Sequence, residues 1–199
     1  MRKTFRSASL LATLVLLFSS SVAFGRSDHV RWDIISATPL PVSTSTVLSA
    51  GGVAFASANA NLKIELTGSG TFVAPDSGGP SGSVTGGGTW ETFNGSTSTG
   101  SGTYRVTKLA SWEFANFQTQ LTIDNIGNPN ERANGNAVLL IEYSDGSLGI
   151  LGLGCHGPAA PAGIQEGVIA TKDFVTYWSA QVPSATVDAN RTLFHLRLR

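Results

Sequence analysis

Between Asn136 and Cys155 two apolar runs flank the doublet Asp145-Gly146. Asp-Gly in that setting predicts a two-residue hairpin loop, because a type I′ turn needs positive φ at both central residues. Such a loop pairs Tyr143 with Leu148, Ile141 with Ile150 and Leu139 with Gly152. One face then carries Leu139, Ile141, Tyr143, Leu148 and Ile150. The other carries Val138, Leu140, Glu142, Leu151, Leu153 and Cys155. Side chains alternate across a strand, so a ribbon apolar on both faces is expected at the centre of a sheet, covered on both.

The rest of the chain repeats the alternating pattern in short segments. Val30, Trp32 and Ile34 alternate, as do Leu62, Ile64 and Leu66 against Lys63, Glu65 and Thr67, and Phe194, Leu196 and Leu198 against His195, Arg197 and Arg199. Each predicts a strand with one dry face. Val168 to Thr171 and Phe174 to Trp178 predict two strands about Lys172-Asp173. Gly68-Ser-Gly-Thr-Phe72, Gly86-Gly-Gly-Thr-Trp90 and Gly100-Ser-Gly-Thr-Tyr104 share Gly-x-Gly-Thr-aromatic. Glycine there suits a sheet corner, and the aromatic two places on anchors the strand. Turn signals at this spacing predict roughly nine to eleven short strands in an all-β, meander-rich antiparallel barrel or barrel-like sandwich.

The N-terminus follows a different grammar. Arg2, Lys3 and Arg6, the apolar run Leu10 to Phe18 and the small residues Ser21-Val22-Ala23 predict a signal peptide over 1–23, cut after Ala23, and a secreted or periplasmic mature protein. Residues 24–50 then form an N-terminal strand with a Ser/Thr/Pro-rich segment, and 51–199 a single β domain. Cleavage removes three of the thirteen basic residues, leaving ten against thirteen acidic ones, a net charge of −3. Charge is sparse and scattered, which argues against nucleic acid as a partner. The strands are short and their polar faces charged, which argues against a transmembrane barrel. With Cys155 the only cysteine, no intramolecular disulfide can form.

Three stretches resemble a family of exported bacterial all-β proteins for which no activity is known: Gly86 to Trp90, Glu166 to Trp178 and Asn190 to Leu196. The resemblance implies the fold and export, and no chemistry. Gly88-Thr89-Trp90 is also similar to the Gly-x-Trp of lipocalins, an analogy of barrel architecture that says nothing about ligands.

Candidate chemistry is thin. Cys155, His156, Glu166 and His195 could assemble a thiol nucleophile, a base and an orienting acid, the constellation of a secreted hydrolase or isomerase. Glu142 is a carboxylate among apolar neighbours, a setting that calls for a partner or a raised pKa. Trp90, Tyr104, Tyr143 and Trp178 could line a pocket for a small apolar or carbohydrate ligand, or simply build the core. No His-x-His, His-Glu-x-x-His or paired Cys-x-x-Cys occurs, so neither metal nor cofactor is expected. The reading favoured is a non-catalytic binding or scaffold module. The hydrolase and a self-associating envelope protein, a homo-oligomer built through the 136–155 hairpin, are the alternatives.

Overall fold

The computed structural model describes residues 27–59, 61–75, 78–119 and 122–197. The expected signal peptide lies outside them. Fourteen strands follow in chain order: β1 (Ser27–Thr38), β2 (Val47–Ala50), β3 (Ala54–Ser57), β4 (Leu62–Leu66), β5 (Ser69–Pro75), β6 (Val84–Asn94), β7 (Thr97–Phe117) and β8 (Ile123–Asp124). After a single 3-10 turn come β9 (Arg132–Tyr143), β10 (Leu148–Cys155), β11 (Gly167–Lys172), β12 (Val175–Tyr177), β13 (Ser179–Ala180) and β14 (Arg191–Arg197). No α-helix occurs among the described residues, and none of their helices is long and apolar enough to cross a membrane.

Six strands close on themselves in the cycle β1-β5-β6-β7-β9-β14, every neighbouring pair antiparallel. Of the other eight, β2, β4 and β10 branch off where a barrel strand changes partner part-way along one edge, and the remaining five extend those branches. β1 pairs β5 up to Asp33 and β2 from Ile35. β6 pairs β5 up to Gly87 and β4 from Trp90. β9 pairs β14 at Arg132 and Ala133, and β10 from Gly135. These forks explain why the strands outnumber the nine to eleven expected: one apolar run serves two ladders.

The lumen is filled by rings. Trp112 on β7 meets Phe72 on β5 at 5.4 Å and Phe194 on β14 at 4.8 Å, both edge-on and both across the barrel rather than to a neighbouring strand. Further along, Trp90 meets Tyr143 at 5.6 Å, under a flank formed by β3 and β4 against β11 and β12. The Gly-x-Gly-Thr-aromatic repeat has a steric purpose. Gly70 lies across from Trp32, Gly88 from Tyr104 and Gly102 from Trp90. A Cβ on Gly70 or Gly102 would come within 2.9 or 3.1 Å of the indole nitrogen of the facing tryptophan. Glycine is the vacancy into which the opposite ring packs, and burial of each ring contributes about 2–3 kcal/mol.

The hairpin at 136–155 forms, with a different turn. Tyr143 N–H donates to Ser147 O and Gly146 N–H to Tyr143 O, both at 2.9 Å, and Gly146 alone within the turn has positive φ, at 86°. That is a three-residue loop, a type I turn closed by a left-handed glycine, rather than a two-residue type I′ turn. Asp145 Oδ1 holds it by accepting from Ser147 N–H at 3.0 Å and Ser147 Oγ at 2.7 Å. The register therefore moves by one: Leu148 faces Glu142, Ile150 faces Leu140 and Leu151 faces Leu139. A shift of one residue turns every β10 side chain to the other face. Leu139, Ile141, Tyr143, Leu151, Leu153 and Cys155 are buried together, while Leu140, Leu148 and Ile150 stand exposed on the outside. The expectation of a ribbon covered on both faces is corrected.

Candidate ligand cavity

The fork on β9 leaves a wedge between β10 and β14 whose backbone groups no ladder can pair. Side chains satisfy them instead. Thr192 Oγ1 donates to Gly154 O at 2.7 Å. The Glu166 carboxylate accepts from Thr192 N–H and His156 N–H, each at 2.5 Å, and from Thr192 Oγ1 at 3.2 Å. Burial pushes the Glu166 carboxyl up to about 7, against those donors, which favour the ionised form. The Cys155 thiol donates to Thr192 O at 3.3 Å and receives Gln118 Nε2 at 3.2 Å. Burial, and the Glu166 charge beside it, push that thiol well above its usual range.

The structure thus brings Cys155, the His156 backbone and Glu166 together, with no imidazole on the sulfur. The His156 ring turns away, its Nδ1 2.8 Å from Ile164 O. His195 is buried elsewhere, its Nε2 2.9 Å from Asp124 Oδ2. Burial works against the Asp124 carboxylate, but the His195 ring and the Ile126 and Gly127 N–H groups hold its carboxyl below the usual range. A buried, proton-retaining thiol bonded to a carbonyl is not an activated nucleophile. Among the described residues no three His, Cys, Asp or Glu side chains are placed to hold a metal ion.

The aromatic candidates separate in the same way. Trp90, Tyr104 and Tyr143 are buried, and their polar atoms donate to carbonyls: Trp90 to Thr103 O, Tyr104 to Thr67 O, Tyr143 to Thr171 O. Trp178 stands on the surface, 65% exposed. Glu142 faces Arg105 on the outside of the barrel and ion-pairs with it. None of the five contributes to the cavity beside the fork.

That cavity, about 300 Å³, opens against Cys155, Glu166 and Thr192. Ile35 of β1, Leu48 of β2, Val42 of the loop between them, and Leu193 of β14 give it apolar walls. Gln118 and Thr122, which follow β7, and Arg132 at the start of β9 give it a polar end. Arg132 is only 1% exposed, and its Nη1 donates to Thr122 Oγ1 at 2.6 Å. Nothing in the sequence around Asn130-Glu-Arg132 marks this arginine. The one available signal is a charge at the head of a strand whose next position, Ala133, is core.

No family model matches the chain, and neither the curated proteins nor the solved structures return a match to it, so the expected likeness to an exported bacterial family finds no support there.

Proposed function

We propose that this chain is an exported, non-catalytic binding module, and that its ligand is a small, largely apolar molecule held beside the fork between β10 and β14 rather than in the lumen. The observation that carries this reading is the division of labour between the two places. The lumen is closed by Trp112, Phe72 and Phe194, whereas the cavity keeps about 300 Å³ between aliphatic walls with a few convergent polar groups. That is the small end of the range for ligand sites, with their composition. The test is native mass spectrometry of the protein recovered from its source, compared with Val42→Trp, which fills the mouth. A stoichiometric small molecule carried by the natural protein and absent from the variant supports the reading. An empty natural protein, or a ligand that the variant retains, removes it.

Self-association is supported by a separate observation. Leu140, Leu148, Ile150 and Ile169 are exposed on the outer face of β9, β10 and β11, and Ile169 packs over Gly152 as part of the same surface. A contiguous apolar face of this kind suits contact with another molecule. Sedimentation of the wild type and of Ile150→Lys decides it: a concentration-dependent oligomer lost in the variant supports the reading, and a monomer in both removes it.

A further inference from the structure

Arg132 sets the chemistry of what the cavity holds. Three basic side chains occupy paired register positions side by side on three adjacent strands: Arg31 on β1, His195 on β14 and Arg132 on β9. Asp33 takes Arg31 through two contacts, at 2.8 and 2.9 Å. Asp124 takes His195. Among the described residues no carboxylate pairs with Arg132, whose Nε is buried with no hydrogen-bond partner. The neighbouring Arg191 is spent on the carbonyls of Ser184, Val187 and Ala189.

A guanidinium stays charged at any physiological pH, and one buried with a donor idle and no counter-ion is a costly arrangement. The group that relieves it is a planar, two-oxygen anion, which a guanidinium edge binds through two parallel hydrogen bonds. The walls that lead away from it, Ile35, Leu48, Leu193 and Val42, are aliphatic. At Arg132 itself, Thr122 already accepts one of the guanidinium hydrogens.

We propose that the cavity binds a small amphipathic monocarboxylate, its carboxylate on Arg132 and its aliphatic tail along Ile35, Leu48, Leu193 and Val42. This rests on the cavity being the ligand site and adds the class of ligand. The anion gives Nε the acceptor it lacks and neutralises the one buried cation in the row that the protein leaves unpaired. A methylene tail needs no further polar partner, which matches the walls.

Calorimetry with octanoate and with octan-1-ol separates the two claims, since the probes share a tail and differ in the head group. The wild type is expected to bind octanoate at least tenfold more tightly than octanol. Arg132→Met is expected to bind the two alike, and Arg132→Lys, which keeps the charge but loses the two-point geometry, to fall between. Equal affinities in the wild type, or a preference for octanoate that survives Arg132→Met, overturn the assignment to Arg132 and leave the cavity standing. Binding of neither probe overturns both. Should Arg132→Met fail to fold, Arg132→Lys decides: an undiminished preference in that variant overturns the two-point geometry.

Discussion

Glu166 accepts the Thr192 backbone N–H at 2.5 Å across the gap where β10 parts from β14. Its other oxygen takes His156 N–H at the same distance, so one carboxylate does for two strands what a ladder would otherwise do. Glu166→Ala strips both N–H groups of their acceptor at the rim of the cavity. An unsatisfied buried donor costs about 1–3 kcal/mol, and with some relief from water at the mouth the loss should be about 2–4 kcal/mol. Urea unfolding measures it, and a change below half a kcal/mol would mean that water replaces the carboxylate without cost.

The same side chain gives stability a pH dependence of definite sign. Glu166 has an ordinary value of 4.5, which serves for the unfolded chain, and titrates at about 7 in the fold. Between these values the native state holds the extra proton, so stability should fall as pH rises from 5 to 8. The other charged and titratable groups lining the cavity with the carboxylate are Arg132, Cys155, His156 and Arg191. Melting temperatures across that window should decline in the wild type and in His156→Gln, and stay level in Glu166→Gln. A wild-type profile that rises with pH would mean that the three donors outweigh burial.

Cys155 should be silent in the native protein. The thiol is 1% exposed, bonded to Thr192 O, and has its proton held by burial. Alkylation by iodoacetamide at pH 8 should run at least a hundredfold slower on the folded chain than on the chain in denaturant. Comparable rates would expose the thiol and reopen a nucleophilic role. Cys155→Ala removes little volume and one weak donor, and should cost about 1 kcal/mol.

Much of the fold was legible because it rests on period and on steric vacancy. Val30, Trp32 and Ile34 alternate in the sequence and are buried together. The terminal strand carrying Phe194 and Leu196 is locked between β1 and β9. The repeat of glycine before an aromatic encodes the pairing of Gly102 with Trp90. The hairpin register was not legible, since Asp-Gly fits two loops that differ by one residue, and Asp145 decides between them through contacts with Ser147 and with Lys172, which lies in another strand. The cavity was illegible for a related reason. Arg132 occupies a position that reads as a solvated face, and becomes a site residue only because the chain after β7, through Thr122, comes back to meet it. Cys155 and Glu166 were found as candidates, but their shared role as fork-bridging groups depends on a partner, Thr192, that no local pattern ties to them.

Lys172 shows how a buried cation is kept when its partners are not buried. It is 2% exposed, bonds Asp145 at 2.5 Å and Asp173 at 2.8 Å, and lies 4.1 Å over the Trp90 ring and 4.7 Å over the Tyr143 ring. Both aspartates reach solvent, so Lys172→Met leaves them hydrated and places an apolar chain among rings. Asp145→Ala combined with Asp173→Ala instead leaves the ammonium facing the rings with no counter-ion. The double variant should therefore lose more stability than Lys172→Met, by at least 1 kcal/mol in urea unfolding. The Lys172 ammonium also holds the Asp145 carboxyl down to about 2. That contribution is present above pH 4 and lost as pH falls towards 2, so acid should weaken the wild type more steeply than Asp145→Asn.

Phe174 occupies the tip of the β11–β12 turn with φ at 66° and its side chain wholly exposed, beside Asp173 at 49°. Two consecutive residues at positive φ define a type I′ turn, the conformation that Asn-Gly adopts without steric cost. A bulky aromatic there carries strain of about 1–2 kcal/mol from the approach of its Cβ to the following carbonyl. The exposed ring makes no buried contact that would offset it. Phe174→Gly should raise stability by about 0.5–1 kcal/mol, the relief of strain exceeding the extra freedom that glycine gives the unfolded chain. Gly102→Ala is the contrasting change: the added methyl meets Ser144 Oγ at 2.4 Å and the Trp90 indole at 3.1 Å, and overpacking of that kind costs about 1–3 kcal/mol. Urea midpoints of the two variants should move in opposite directions from the wild type. A destabilised Phe174→Gly would show that the ring is held by a contact, and the turn tip would become a surface to examine for a partner.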